Sequence, residues 1–448
     1  MMIGLLFTWL ALAGSAYAAL SATASPTATP AATQDVRFVT PTKARIGVGS
    51  SAQVVPRWSR AYSDVSLSIR GSGAGRTAGV AAAHGFAFIC VQDQGDKRRI
   101  DALDVTTGRL VWSKIGHYVP ILHGAGDILI AQRFGGTSAN AGTVVGLDAE
   151  DGRTRWQIES YAVAYEGGIV LVGAQDVLRA VDADDGRMRW VNRDIVGSVN
   201  GPVLYGDTWL LPVWTNGAIL AETLMGVDAE SGRTLWRTST PAFPIGSAGA
   251  HVYLRTDEWD YHSPMIFTGV PISATDPRTG EAASTSLLFP KSENSGQYES
   301  SNSMPIRVTS DAIYFWFHNR FFRYALEIPP ARQRPIAVDN VGEFLGGPKN
   351  GWFFFRADGG LAMLRFKEER VTLRTIALDG AEDGPLSISG DVAYFGDTSG
   401  RVYGLDTSTL EVRLRTGIAC EAPAEYLIGH GMLTVICEGK LVGFPLPR

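Results

Sequence analysis

Sustained helical periodicity is missing from this 448-residue chain: no segment repeats apolar residues at spacings of three and four for long enough to make an amphipathic helix. Charge is sparse. Charged residues make up 19%, the formal net charge is −5 and no basic cluster occurs, so nucleic-acid binding has no electrostatic footprint. Cysteine is scarce, with three in all and no two adjacent. No Cys/His metal spacing, Ser–His–Asp order or phosphate-cradling Gly loop with its helix is present. His84, His117, His123, His251 and His430 stand isolated, with turn or surface roles expected. No Lys or Arg lies before or within the apolar start of the chain, and no second apolar run reaches membrane-spanning length.

Met1 to Gly14 is almost wholly apolar, and Ser15, Ala16, Tyr17 and Ala18 supply the small residues of a cleavage site before Ala19. Residues 1–18 therefore read as a signal peptide. An uncleaved N-terminal membrane anchor is the alternative, since the apolar run to Leu20 nearly spans a bilayer. No Cys follows the run, so a lipid-anchored form lacks support. Residues 19–50, opening "ALSATASPTATPAATQ", are rich in Ala, Pro, Ser and Thr and read as a tether. Residues 51–448 form a single domain. The expected location is the periplasm or cell envelope.

Glycine is abundant, at 51 residues, as a fold of many tight turns requires. One pattern recurs four times: "ALDVTTGRLVW" (Ala102–Trp112), "GLDAEDGRTRW" (Gly146–Trp156), "AVDADDGRMRW" (Ala180–Trp190) and "GVDAESGRTLW" (Gly226–Trp236). Asp104, Asp148, Asp182 and Asp228 share offsets with Gly108, Gly152, Gly186 and Gly232 and with Trp112, Trp156, Trp190 and Trp236. A decayed copy keeps Asp276 and Gly280 with Ser284 in the Trp position, and another keeps Asp406 with Leu410 and Leu414 for Gly and Trp. Strand-like runs precede each Asp and follow each Gly, about four short strands per unit of 34 to 46 residues. That period and strand count describe a β-propeller of four-stranded antiparallel blades. Nine units can be counted, around 104, 148, 182, 228, 276, 326, 366, 406 and 444; those near 326 and 366 rest on strand-turn rhythm alone, and eight blades are expected.

The offsets have a physical reading. The Gly allows the positive φ of a tight hairpin. The Asp four residues earlier can accept from turn amides. The Trp, on the outermost strand, fills the wedge that widens between blades, and its N–H needs a backbone carbonyl. Small residues at Ala102, Gly146, Ala180 and Gly226 leave room for the indole. The last strand, Lys440–Leu446, lacks a following outer partner, and the segment 53–62 carries Trp58 where a fourth strand should end. Pairing the two would close the ring and remove a free edge.

The motif resembles the tryptophan-docking repeat of the pyrroloquinoline-quinone (PQQ)-like, or quinoprotein alcohol dehydrogenase-like, β-propeller superfamily. In size, in the Trp58 strand and in the bare terminal strand "GKLVGFPLPR" the chain is similar to the BamB-like, non-catalytic branch. It lacks the Cys that carries the lipid in most of that branch. The resemblance implies an exported cell-envelope scaffold that binds a protein partner, with a place in outer-membrane protein assembly, no cofactor, no membrane insertion of the propeller and a monomeric state. The superfamily's other branch implies a PQQ-dependent dehydrogenase with Ca²⁺, which needs adjacent cysteines against the quinone that are missing here. A propeller binding sugar or another small ligand is a further alternative.

Four features stand outside the repeat. Cys420 and Cys437 flank two strands that turn at Gly429–Gly431, so they are either a disulfide or two free thiols. Cys90, in the apolar run "FAFICV", is expected to be a buried thiol. The segment "TDEWDYHSPM" gathers Asp257, Trp259, Asp260, Tyr261 and His262 in a long inter-strand loop. That mixture suits a protein-interaction loop. In "AIYFWFHNRFFRYAL", alternation puts Ile313, Phe315 and Phe317 on one face and Tyr314, Trp316 and His318 on the other, both packing between blades.

Overall fold

The computed structural model describes residues 37–48, 53–62, 65–67, 80–93, 98–134, 142–174, 177–195, 197–199, 201–215, 221–238, 242–256, 270–288, 305–317, 319–326, 335–357, 360–368, 370–378, 385–397, 399–420, 423–437 and 439–447. They fall within the compact unit Gln34–Arg448; the unit Met1–Thr33 lies outside the described residues. Among the described residues every regular element is a β-strand, and the strands form nine sheets.

Each sheet is a blade of four antiparallel positions taken in chain order, with the first position split into two short strands in blades 1 and 4. Blade 1 spans 65–115, blade 2 118–159, blade 3 161–192, blade 4 198–237 and blade 5 242–288. Blades 6, 7 and 8 span 306–339, 343–377 and 386–415. Blade 9 joins 423–445 to the strand Trp58–Ala61. Second and third strands are covered on both faces, so they read as unbroken apolar runs: Ile128 to Ala131 and Trp352 to Phe355 are all buried. Fourth strands stand at the rim and alternate instead, as Leu110–Ile115 does between half-buried and exposed residues.

Among the described residues the core is divided into nine apolar clusters, one for each seam between consecutive blades. The ninth joins Ile436 and Leu441 of blade 9 to Ile89, Val91 and Leu103 of blade 1, so the blades form a ring. The expected pairing at the chain ends is present: Trp58 lies opposite Gly443 and Ala61 opposite Lys440, antiparallel.

Two expectations are corrected. The blade count is nine, not eight, because the weak units near 326 and 366 are both complete sheets. The segment 19–50 is not wholly a tether: Arg37–Phe38 adds parallel to the outer strand of blade 6, and Thr42–Ile46 adds parallel to the outer strand of blade 7. A single parallel bridge then joins Val54 to Thr416 beside blade 8. Residues 37–48 and 53–61 thus form a strap along the rim of blades 6 to 9. Its side chains carry almost no period-2 signal, since Thr42 to Arg45 are all exposed.

Candidate functional site

The repeat residues meet in pairs across the seams. The Trp112 Nε1–H donates to the Ala149 carbonyl of the next blade at 2.9 Å. Trp156 donates to Ala183 at 2.8 Å, Trp190 to Ala229 at 2.9 Å and Trp236 to Pro277 at 2.8 Å. Trp58 of blade 9 does the same to Val105 of blade 1 at 2.8 Å. Each acceptor is the residue after the next blade's repeat Asp.

The same indoles lie on the next blade's repeat glycine. A Cβ on Gly152 would sit 2.8 Å from the Trp112 ring, and one on Gly232 only 2.4 Å from the Trp190 ring. Gly108, Gly186 and Gly280 receive Trp58, Trp156 and Trp236 in the same way. These five glycines also have φ between +68° and +73°, so they serve both the turn and the neighbour's indole. Sequence reasoning identified the first role and missed the second. The small residue at the head of the motif has its own constraint: Gly146 lies opposite Trp156 in register, and a Cβ there would meet the ring at 2.3 Å.

The aspartates close the turns. Asp104 accepts from the amides of Thr106 and Thr107, Asp276 from those of Arg278 and Thr279, and Asp406 from those of Ser408 and Thr409. Asp148 accepts from the Glu150 and Asp151 amides and Asp228 from that of Ser231. Asp182 is held instead by Arg189 and Arg187. Arg155 and Arg413 pair in turn with Asp148 and Asp406 at 2.6 and 2.8 Å. These partners hold the carboxyls below their ordinary range: the Thr106 hydroxyl chiefly for Asp104, Arg155 for Asp148, Arg189 for Asp182 and Ser231 for Asp228. Ser408 and the turn amides bring Asp406 down to about 2.

Seams without a docking indole are filled differently. Between blades 6 and 7, Tyr314, Phe321, Phe353 and Phe355 interlock, with Tyr314 and Phe353 centroids 4.5 Å apart. The expected alternation holds for the described residues: Ile313, Phe315 and Phe317 face the seam with blade 5, Tyr314 and Trp316 that with blade 7, and His318 lies outside the described residues. Trp316 donates to the Gly342 carbonyl at 2.7 Å. The strap adds one or two aliphatic side chains per seam: Val39 between blades 6 and 7, Ile46 and Val48 between 7 and 8, and Val54 between 8 and 9. Leu410, in the glycine position of blade 8 with φ of 63°, packs its own side chain into the seam where an indole is missing.

Two buried polar groups escaped sequence reasoning. Asp101, 1% exposed, accepts from Arg99 at 2.9 Å and from Ser113 at 2.7 Å beside the closing seam. Burial, and then the Asp101 charge, pushes Tyr62 up to about 12. In blade 8, Asp397 accepts from the Tyr403 hydroxyl at 2.9 Å, and burial with that bond pushes Tyr403 up to about 12. Neither group had a repeat to reveal it.

Cys420 and Cys437 form a disulfide, tying the connection after blade 8 to the second strand of blade 9. Cys90 is a buried thiol outside the disulfide, and burial pushes it up to about 12. A cavity of about 200 Å³ opens between blades 9 and 1, walled by Phe86, Val105, Leu427, His430 and Met432. Among the described residues no group of three or more His, Cys, Asp or Glu could hold a metal, and no helix is long and apolar enough to cross a membrane. Asp257, Trp259, Asp260, Tyr261 and His262 lie outside the described residues.

Trp58, Trp112, Trp156, Trp190 and Trp236 are thus engaged at the seams, and the cysteines are one disulfide spanning 17 residues and one buried thiol.

The family described as outer membrane protein assembly factor BamB matches residues 21–162 and 140–333. The chain belongs to this family. Comparison with curated proteins gives no match. Among solved structures, BamB from Moraxella catarrhalis is 17% identical, covering 72% of this chain and 96% of its own, with a TM-score of 0.43. Sqt1 from Saccharomyces cerevisiae is 12% identical, with 89% and 100% covered and a TM-score of 0.45. A quinohemoprotein alcohol dehydrogenase from Pseudomonas putida is 11% identical, with 89% and 76% covered and a TM-score of 0.42. At this level of likeness none of these proteins' activities transfers to this chain.

Proposed function

We propose that this BamB-family propeller is an exported, monomeric protein-interaction scaffold of the cell envelope that takes part in outer-membrane protein assembly and performs no catalysis. One observation carries the reading. The repeated Asp, Gly and Trp residues, the most chemically conspicuous in the chain, are used up in turns and seams. What remains for function is the surface the ring presents, and recognition by exposed aromatics and acids is the chemistry such loops supply. The segment with Trp259 and Tyr261 is the expected contact loop.

Crosslinking followed by capture from solubilised envelopes tests the reading. A discrete envelope protein should be recovered with the native chain, and Trp259→Ala with Tyr261→Ala should lower its recovery several-fold. Recovery of no partner would contradict it. So would quinone absorbance and dye reduction with alcohols or sugars after incubation with PQQ and Ca²⁺.

A further inference from the structure

The strap differs from every other strand of the ring. Within the blades each strand pairs antiparallel with its neighbour, whereas Arg37–Phe38 and Thr42–Ile46 are laid on in parallel from a remote part of the chain. Backbone bonds hold them: Arg37 N–H to the Pro335 carbonyl and Val39 N–H to that of Ala337, both 2.9 Å. Their side chains contribute little, since Phe38 is 53% exposed and Thr42 to Arg45 are exposed throughout. Within residues 37–48 only Val39, Ile46 and Val48 reach the seams. Recognition through the main chain tolerates many sequences, which is how strand addition to a sheet edge works.

The strap is also electrostatically mismatched to its seat. Ala44 lies opposite Arg374 in register, flanked by Lys43 and Arg45. The Arg374 Nη1 is buried with no hydrogen-bond partner. A buried guanidinium donor without an acceptor is costly, and a carboxylate beside it would satisfy it. On that face the strap offers only a methyl group, and its neighbours Lys43 and Arg45 bring no carboxylate.

We propose that the outer edges of blades 6 and 7 form a strand-acceptor site, occupied in cis by the strap and open to an extended segment of a partner protein that carries Asp or Glu opposite Arg374 and a branched aliphatic residue two positions later, where Ile46 sits. The strap is then a replaceable cover that keeps two sheet edges from indiscriminate pairing. The inference deepens the scaffold reading by naming the class of segment captured, and it rests on that reading only for the partner's role.

The test uses the full chain and labelled peptides of the 36–48 sequence, one native and one with Ala44→Glu. In a chain whose strap is loosened by Val39→Ser and Ile46→Ser, fluorescence anisotropy should show the Glu peptide binding at least tenfold tighter than the native peptide. The unaltered chain should bind both more weakly, and backbone N-methylation of either peptide should abolish binding. A folded, loosened chain that binds neither peptide, or binds the two equally, would overturn the proposal. If that variant does not fold, hydrogen exchange in the unaltered chain decides. Edge amides of Arg370–Ala377 should open well before global unfolding, and Ala44→Glu in cis should slow them at least tenfold. Exchange only through global unfolding, or no change with Glu, would overturn it. Either failure leaves the envelope-capture result standing, so the two readings fail separately.

Discussion

Two arcs of one ring solve the same packing problem with different parts. From blade 9 through blade 5, all five seams are closed by an indole that donates to the next blade and lies on its glycine. From blade 6 through blade 9 no outer-strand indole docks, and the seams are closed by interlocked aromatic rings, Trp316 of an inner strand among them, and by aliphatic residues from the strap. The first arc is sealed by residues a few tens of positions apart. The second depends on a segment some three hundred residues earlier in the sequence. The seam between blades 5 and 6 has neither the indole nor the strap: Ser284 stands in the indole position, no strap residue reaches its cluster, and Phe315, Phe322 and Tyr324 fill it.

The difference predicts where the ring breaks. Trp190→Ala should cost the most, about 3–5 kcal/mol, since it removes a large buried side chain and orphans the Ala229 carbonyl. Its urea midpoint should fall accordingly. Gly232→Ala comes next, at roughly 2–4 kcal/mol, because the new methyl meets the Trp190 ring and the turn keeps a positive φ. Ile46→Ala, in the other arc, should cost only about 1–2 kcal/mol, as a half-buried strap residue, and should raise exchange at the edge of blade 7 while sparing blades 2 and 3. Equal losses at Trp190 and Ile46 would erase the distinction between the arcs.

The smallest effects are titrations. The repeat aspartates are held below their ordinary value in the folded ring. Their contribution is therefore complete above the unfolded carboxylate range and is lost as pH falls through the folded values, to about 2 for Asp406. Asp406→Asn should flatten the decline in thermal midpoint across that acid window. Tyr62 and Tyr403 have the opposite sign. Raised to about 12, they add stability that is present below pH 10 and lost as pH climbs from about 10 to 12.

The contrast also explains what was legible in the sequence. Blades 1 to 4 could be read because a seam made locally leaves its Asp, Gly and Trp at fixed offsets. The units near 326 and 366 left only strand rhythm, because their rims are completed by Arg37–Phe38 and Thr42–Ile46. That segment was hidden in turn: a strand held by its backbone with its side chains in solvent has no alternation to detect. The closing strand was found because Trp58 carries the local signature with it. Asp101 and Asp397, single buried carboxylates without a repeat, had no pattern to betray them. The second role of the glycines was invisible because the indole lying on each belongs to the blade before.

The most direct measurement is a double-mutant cycle between Trp190 and Gly232, read by urea denaturation. If the indole packs across the seam onto that glycine, Gly232→Ala will be severe in the native background. In a Trp190→Ala background it will be mild, leaving a coupling of more than about 1 kcal/mol. Additive losses would mean that the ring and the glycine do not meet, and the account of the seams would fail.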